Sequence, residues 1–158
     1  MILQDSTIIN APATAVFSFF DNMADNYTRW HPDHHSYRWV EGNKCETGAI
    51  FAFDETVGGE RQQKEMRFTN VTVDRYLEFE PTNRFIRLLM PRLSFGMEPV
   101  DSNICRFEAK IHLRIGPIAA WLNRREFNAV RQHMREEAEN IKQLVEAEMV
   151  ESPVKHHA

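Results

Sequence analysis

Hydrophobic and polar positions divide the chain into three stretches with different periods. The first is short and mixed. Ser6 to Asn10 reads as a strand that ends at Ala11-Pro12, and Ala13 to Asn22 carries Val16, Phe17, Phe19 and Phe20 at helical spacing. A further helical turn runs from Asp25 to Trp30. Pro32 stops it, because proline disfavours helical geometry in the residue before it. The second stretch alternates with period two. Strands are expected over Ser36 to Glu41, Gly48 to Val57, Gln63 to Val73, Tyr76 to Glu80, Phe85 to Gly96 and Asn103 to Ile115. Gly58-Gly59 marks a turn and Gly116-Pro117 breaks the last strand. From Ile118 to Glu148 the period becomes helical, with Phe127, Val130, Met134, Ala138, Ile141 and Val145 forming one apolar stripe. A helix of that length must lie across the sheet, because its stripe needs a partner. The chain therefore reads as one α+β domain over residues 1–150, followed by a flexible tail over 151–158.

Composition narrows the function classes. The chain has 158 residues, enough for one core, with 42% hydrophobic and 27% charged positions. Its net charge of -4 argues against a nucleic-acid partner, which selects basic surfaces. No apolar run approaches the roughly 20 residues of a membrane span, so no membrane partner is expected. No signal peptide is visible, and the default compartment is cytoplasmic. Without a secretion signal, Cys45 and Cys105 are expected to be free thiols. An edge strand of the sheet could support a homodimer.

Two donor-rich clusters stand out. His133 and Glu137 are four residues apart on the long helix, about one turn, so both project from one face beside the apolar stripe. Trp30-His31-Pro32-Asp33-His34-His35 offers three histidines around a proline that stiffens the turn. Glu55 shares strand parity with Phe51 and Phe53. If those rings face an interior cavity, its carboxylate does too, and must be paired, protonated or bound to metal. The bland alternatives are a solvated His-Glu pair, a polar loop, and a carboxylate at a wet strand end. Glu65 competes with Glu55 because its strand has mixed parity, while Glu136 and Glu139 are expected to point to solvent. His156 and His157 are read as adventitious. No nucleophile elbow and no phosphate-cradling glycine pattern occurs.

The order of strand, two short helices, six-stranded curved antiparallel sheet and long C-terminal helix resembles the START-like (SRPBCC) helix-grip superfamily of polyketide cyclases and aromatic-ligand carriers. The opening Ile8-Ile9-Asn10-Ala11-Pro12-Ala13-Thr14-Ala15-Val16-Phe17 carries the same likeness. It implies a cavity between sheet and helix for a small aromatic or apolar molecule. Three segments are further similar to zinc-dependent diacetylphloroglucinol hydrolases: Tyr27 to His34, Gly48 to Gly59, and His133-Met134-Arg135-Glu136-Glu137. The first is one residue shorter here, and the chain lacks the N-terminal extension of those enzymes. The resemblance implies Zn2+ held by His34, Glu55, His133 and Glu137, with His31 and His35 as fallback ligands. It implies hydrolysis of a carbon–carbon bond in an acylated phenol, in which Tyr27 donates a proton or holds the phenolic oxygen. His31, grouped with Tyr27 as a catalytic candidate, is expected to line the pocket or orient a ligand through a hydrogen bond. Two other readings stand beside it: a metal-free carrier of a hydrophobic molecule, and a cyclase or dehydratase using His and Tyr as acid and base.

Overall fold

The computed structural model describes residues 1–152. Seven strands form one antiparallel sheet: β1 (Ile2–Ile9), β2 (His34–Glu41), β3 (Ile50–Val57), β4 (Glu60–Thr72), β5 (Tyr76–Pro81), β6 (Arg92–Asp101) and β7 (Ile104–His112). Their order is β1-β7-β6-β5-β4-β3-β2, so the first two strands of the chain are the two edges. The chain crosses between these edges through α1 (Ala13–Asp21) and α2 (Met23–Trp30). After β7 come α4 (Pro117–Leu122) and the long α5 (Arg124–Glu151); α3 (Arg84–Leu89) lies between β5 and β6. This is the helix-grip architecture, with α5 gripped by the curved sheet. No helix among the described residues is long and apolar enough to cross a membrane.

The core follows the apolar stripes. Val16, Phe17, Phe19 and Phe20 of α1 are buried, as are Met134, Ala138, Ile141 and Val145 of α5. Phe20 stacks on Phe95 and Phe107 of the sheet, with ring centroids 4.8 and 5.8 Å apart. Two hydrogen bonds fasten α5 to α2: Trp30 Nε1 donates to the Glu137 carbonyl at 2.9 Å, and Asn140 Nδ2 to the Trp30 carbonyl at 3.0 Å. They fix the turn of α5 that carries His133 and Glu137. The Gly58-Gly59 turn joins β3 to β4 as a two-residue hairpin, with φ of +60° and +84° that glycine adopts without strain. A Cβ on Gly58 would sit 3.1 Å from Ala129 Cβ, so the glycine also lets the hairpin approach α5.

Four sequence expectations change. The first strand begins at Ile2 rather than Ser6, because pairing with β7 extends from Ile9↔Cys105 to Ile2↔His112. It joins the sheet, making seven strands in one layer rather than six. The expected strand over Phe85 to Gly96 is a helix and then a strand. Asn83 accepts hydrogen bonds from the N–H groups of Phe85 and Ile86 at 2.9 and 3.2 Å, which caps α3, and Pro91 separates it from β6. The helix expected from Ile118 breaks at Asn123, whose Nδ2 folds back onto the Ala119 carbonyl at 2.8 Å. Of the expected tail, Glu151 closes α5, while residues 153–158, with His156 and His157, lie outside the described residues. Cys45 and Cys105 are both buried and free.

Ile141 is fully buried where α5 meets the core. Ile141→Ala is expected to destabilise the protein by about 2–5 kcal/mol, read as a lower denaturant midpoint at constant m-value.

Candidate functional site

Local geometry delivers four donors to one point. A turn over residues 31–34, closed by the His34 N–H donating to the His31 carbonyl at 3.1 Å, places Pro32 and Asp33 at its centre. His34 thus becomes the first residue of β2, directly opposite Glu55 of β3. A bulge follows, because the register shifts between His34 and Ser36, so His35 is the unpaired residue. Successive strand residues point to opposite faces, so the two histidines part. His34 is buried, while His35 meets the Thr56 hydroxyl at 2.7 Å on the exposed face. His133 and Glu137 arrive from α5.

These four side chains form one cluster, with one ligand atom from each lying within 4.8 Å of the others. His34 Nε2 is 2.9 Å from Glu137 Oε1 and 3.7 Å from Glu55 Oε2. His133 Nε2 is 3.3 Å from Glu137 Oε1 and 3.5 Å from Glu55 Oε2. Tetrahedral ligands about 2.0–2.1 Å from a zinc ion lie about 3.3 Å from one another, in the middle of these distances. His133 Nε2 is buried and makes no hydrogen bond among the described residues, although two carboxylates flank it. His34 Nδ1–H donates to the Tyr27 carbonyl at 2.9 Å, since a carbonyl only accepts. That bond commits Nδ1 to the backbone, so Nε2, in hydrogen-bond contact with Glu137 Oε1 at 2.9 Å, is the ring nitrogen turned to the cluster. Two imidazole nitrogens and two carboxylate oxygens in this arrangement can hold one divalent ion.

Three further groups surround the cluster. Tyr27 stacks on His34, with ring centroids 4.0 Å apart and planes 4° from parallel, and its hydroxyl donates to Glu55 Oε2 at 3.3 Å. Burial, then the Glu55 and Glu137 carboxylates, push its pKa far above the ordinary tyrosine value, so the hydroxyl stays protonated. Lys64 was not anticipated. It pairs with Phe53 across the hairpin, faces the cavity, and donates to Glu55 Oε1 at 2.6 Å. Counting back from the Gly58-Gly59 turn would have found it, since that register sets residue 53 against 64. His31 is buried beside His133, with ring centroids 4.4 Å apart. Its Nδ1 accepts from the Asp33 N–H at 3.0 Å, so its Nε2–H donates to Glu136 Oε2 at 2.7 Å. With both ring nitrogens occupied by the protein, His31 supports the cluster from behind rather than lining the cavity. Glu136 is correspondingly not a purely solvated residue. Glu65 is exposed on the opposite face of β4, paired with Ala52, and accepts from the Thr82 hydroxyl at 2.8 Å.

The cluster forms the polar end of a cavity of about 740 Å³ between sheet and α5. Phe51, Phe53, Phe95, Met66, Leu77 and Val130 supply apolar wall. Burial opposes charge on His133, but the neighbouring Glu137 and Glu55 carboxylates outweigh it and raise its pKa to about 10. Burial likewise opposes charge on Glu55, yet His133 and Lys64 hold its pKa down to about 2. Glu137 is also lowered, because His133 and His34 more than cancel the effect of its burial.

The model of the family described as polyketide cyclase / dehydrase and lipid transport matches residues 2–146. The chain belongs to that family. No curated protein matches it by sequence. Among solved structures it is similar to the Zhui aromatase/cyclase from Streptomyces sp. R1128, at 11% identity and a TM-score of 0.74, covering 94% of this chain and 95% of that one. It is also similar to norcoclaurine synthase from Thalictrum flavum in complex with dopamine and hydroxybenzaldehyde, at 12% identity and a TM-score of 0.70, covering 98% and 89%. A START superfamily protein from Mycobacterium smegmatis aligns at 10% identity and a TM-score of 0.64, covering 90% and 98%. At these identities the likeness establishes the fold alone, a helix-grip domain with its cavity under the long helix.

The charges give the metal-free protein a pH signature. The raised His133 pKa contributes stability that is complete below its ordinary 6.5 and is lost as pH rises through about 10. The lowered Glu55 pKa contributes stability that is complete above its ordinary 4.5 and is lost as pH falls through about 2. Chelated protein is expected to be most stable between those ordinary values. Urea midpoints from about pH 3 to about pH 10 check this, with His133→Gln expected to flatten the alkaline decline.

Proposed function

We propose that this chain is a zinc-dependent hydrolase that cleaves the carbon–carbon bond between an acyl group and a phenolic or related aromatic ring held in the cavity. The carrying observation is the largely buried cluster of His34, Glu55, His133 and Glu137, whose His133 Nε2 has no hydrogen bond among the described residues. Two carboxylates with one ammonium, Lys64, leave one negative charge at the polar end of the cavity. A proton on His133 can offset it, and so can a divalent cation. The comparisons support the cyclase-type domain; the zinc hydrolase reading rests on the residues of the site.

Bound by these four residues, and with a further position left for water or a carbonyl oxygen, zinc would supply Lewis-acid polarisation of the carbonyl and a lowered water pKa. The remaining roles belong to the chain. Tyr27 keeps its proton and is the acid positioned beside Glu55. Hydrolysis adds water across the aryl–acyl bond: the acyl carbon leaves as a carboxylic acid and the ring carbon takes a proton, which Tyr27 can deliver. Lys64 neutralises Glu55 and offers positive charge to the phenolic oxygen. With zinc the pole carries one net positive charge, matching a phenolate or enolate. The Phe and Met walls exclude bulk water, and His31 with Glu136 steadies the face of α5 that carries His133.

The family and its norcoclaurine synthase and aromatase/cyclase neighbours favour a second reading, a metal-free cyclase or dehydratase. There the Lys64–Glu55 pair and protonated His133 would satisfy the cluster, and Tyr27 would serve as the acid.

Elemental analysis of protein lacking residues 153–158 separates the two. About one zinc per chain is expected, with its uptake releasing about one proton near pH 7 as His133 loses its own. His133→Ala is expected to lose the zinc and to reduce release of carboxylic acid from an acylated phenol by about a hundredfold or more. Absence of tightly held zinc from folded protein, together with retained binding of aromatic ketones, would falsify the hydrolase reading and leave the second.

A further inference from the structure

Two short helices at one end of the sheet carry large apolar side chains that the fold leaves uncovered. On α3, Phe85, Leu88 and Leu89 are 67%, 61% and 56% exposed; on α4, Ile118, Trp121 and Leu122 are 76%, 62% and 66% exposed. Scattered apolar residues on a surface are ordinary, but a group of this size is not. The helices are neighbours. The Leu89 carbonyl, at the end of α3, accepts from the Arg114 N–H at 2.8 Å, three residues before α4 begins. The strands that follow α3 and precede α4 meet there, with Arg92 opposite His112. The patch also runs into the cavity wall, which takes Ile86 and Leu89 from α3 and Leu113 and Phe127 from either side of α4.

The charge of this face opposes that of the whole chain. Residues 82–97 and 111–125 contain Arg84, Arg87, Arg92, Arg114, Arg124 and Arg125 and no Asp or Glu, in a protein of net charge -4. Glu98 and Glu126 are the first acidic residues after the two segments. Arg87 meets Glu80 at 3.3 Å and Arg92 meets Glu78 at 3.8 Å. The other four have no carboxylate partner among the described residues. Two of them lie over aromatic rings of the patch, Arg84 over Phe85 and Arg124 over Trp121, each at 4.8 Å. Projecting Phe, Leu, Ile and Trp side chains ringed by arginine match a surface that is anionic outside and apolar just beneath. A second copy of the chain fits less well, because a two-fold contact through this face would set arginines against arginines.

We infer that α3 and α4 form a docking surface for an anionic phospholipid membrane, holding the cavity against the lipid so that apolar ligands pass between them. The inserted groups are Phe85, Leu88, Ile118, Trp121 and Leu122, and the arginines lie at headgroup level. This surface is separate from the His-Glu cluster and from whatever chemistry that cluster performs.

The test is co-sedimentation of the full chain with vesicles of phosphatidylcholine alone and of phosphatidylcholine with phosphatidylglycerol in about equal parts. Binding is expected to the mixed vesicles only, to be released by about 0.5 M salt, and to blue-shift the tryptophan emission. Trp121→Ala with Leu122→Ser, and separately Arg124→Glu with Arg125→Glu, are expected to weaken it at least about tenfold. These side chains are exposed, so unchanged circular dichroism and zinc content will show that the fold and the cluster persist. Val73→Ser, which removes another exposed apolar group, is expected to bind as the unaltered chain does. The inference is overturned by equal binding to both vesicles, by no binding, by variants that bind normally, or by a dimer in solution that Trp121→Ala dissociates.

Discussion

Two carboxylates buried in an aromatic cavity are the constraint around which this structure is organised. Glu55 on β3 and Glu137 on α5 bring negative charge to a wall of phenylalanine and methionine, where an isolated ion costs far more than folding can offset. Every neighbour answers that cost. Lys64 takes one oxygen of Glu55, the Tyr27 hydroxyl approaches the other, and two imidazoles face both acids. The supporting contacts reach further. The Tyr27 carbonyl holds the His34 ring, the Trp30 indole holds the Glu137 backbone, and His31 bridges to Glu136.

The same constraint gives the cavity a direction. Most of its wall is apolar, and its charge is confined to one end. An aromatic molecule entering it gains from burial along its length, but only an oxygen at the charged end finds polar partners. Hydrolysis and cyclisation both use such a pose. They differ in whether a proton or a divalent ion balances the carboxylates. The opposite character appears outside, where α3 and α4 show apolar groups amid arginine. A domain with an acidic interior pole and a basic apolar rim separates the place of chemistry from the place of contact.

Much of this was legible along the chain because periodicity reports which face is buried. The α5 stripe from Phe127 to Val145, the parity of Glu55 with Phe51 and Phe53, and the four-residue step from His133 to Glu137 are local patterns, and the structure keeps all three. The misses share a cause. Phe85 to Leu89 is as apolar as a strand, yet the Asn83 cap and absence of a pairing partner make it a helix. Lys64 lay in a strand of mixed parity, and only the register set by the glycine hairpin shows its direction. Glu136 was assigned to solvent because helical angle alone does not reveal the buried His31 that reaches it.

The linear order of residues by itself determined most of the elements, the sheet-and-helix class and the donor types, since these follow from spacing within a few turns or strands. Tertiary structure alone decided which of three neighbouring histidines faces inward. His34 lies opposite Glu55 while His35 is the unpaired residue of a bulge, and this register exists only because β2 is paired with β3. It also decided that donors from α5 and two strands meet within a few ångströms, because convergence depends on distances across the fold that no sequence separation encodes.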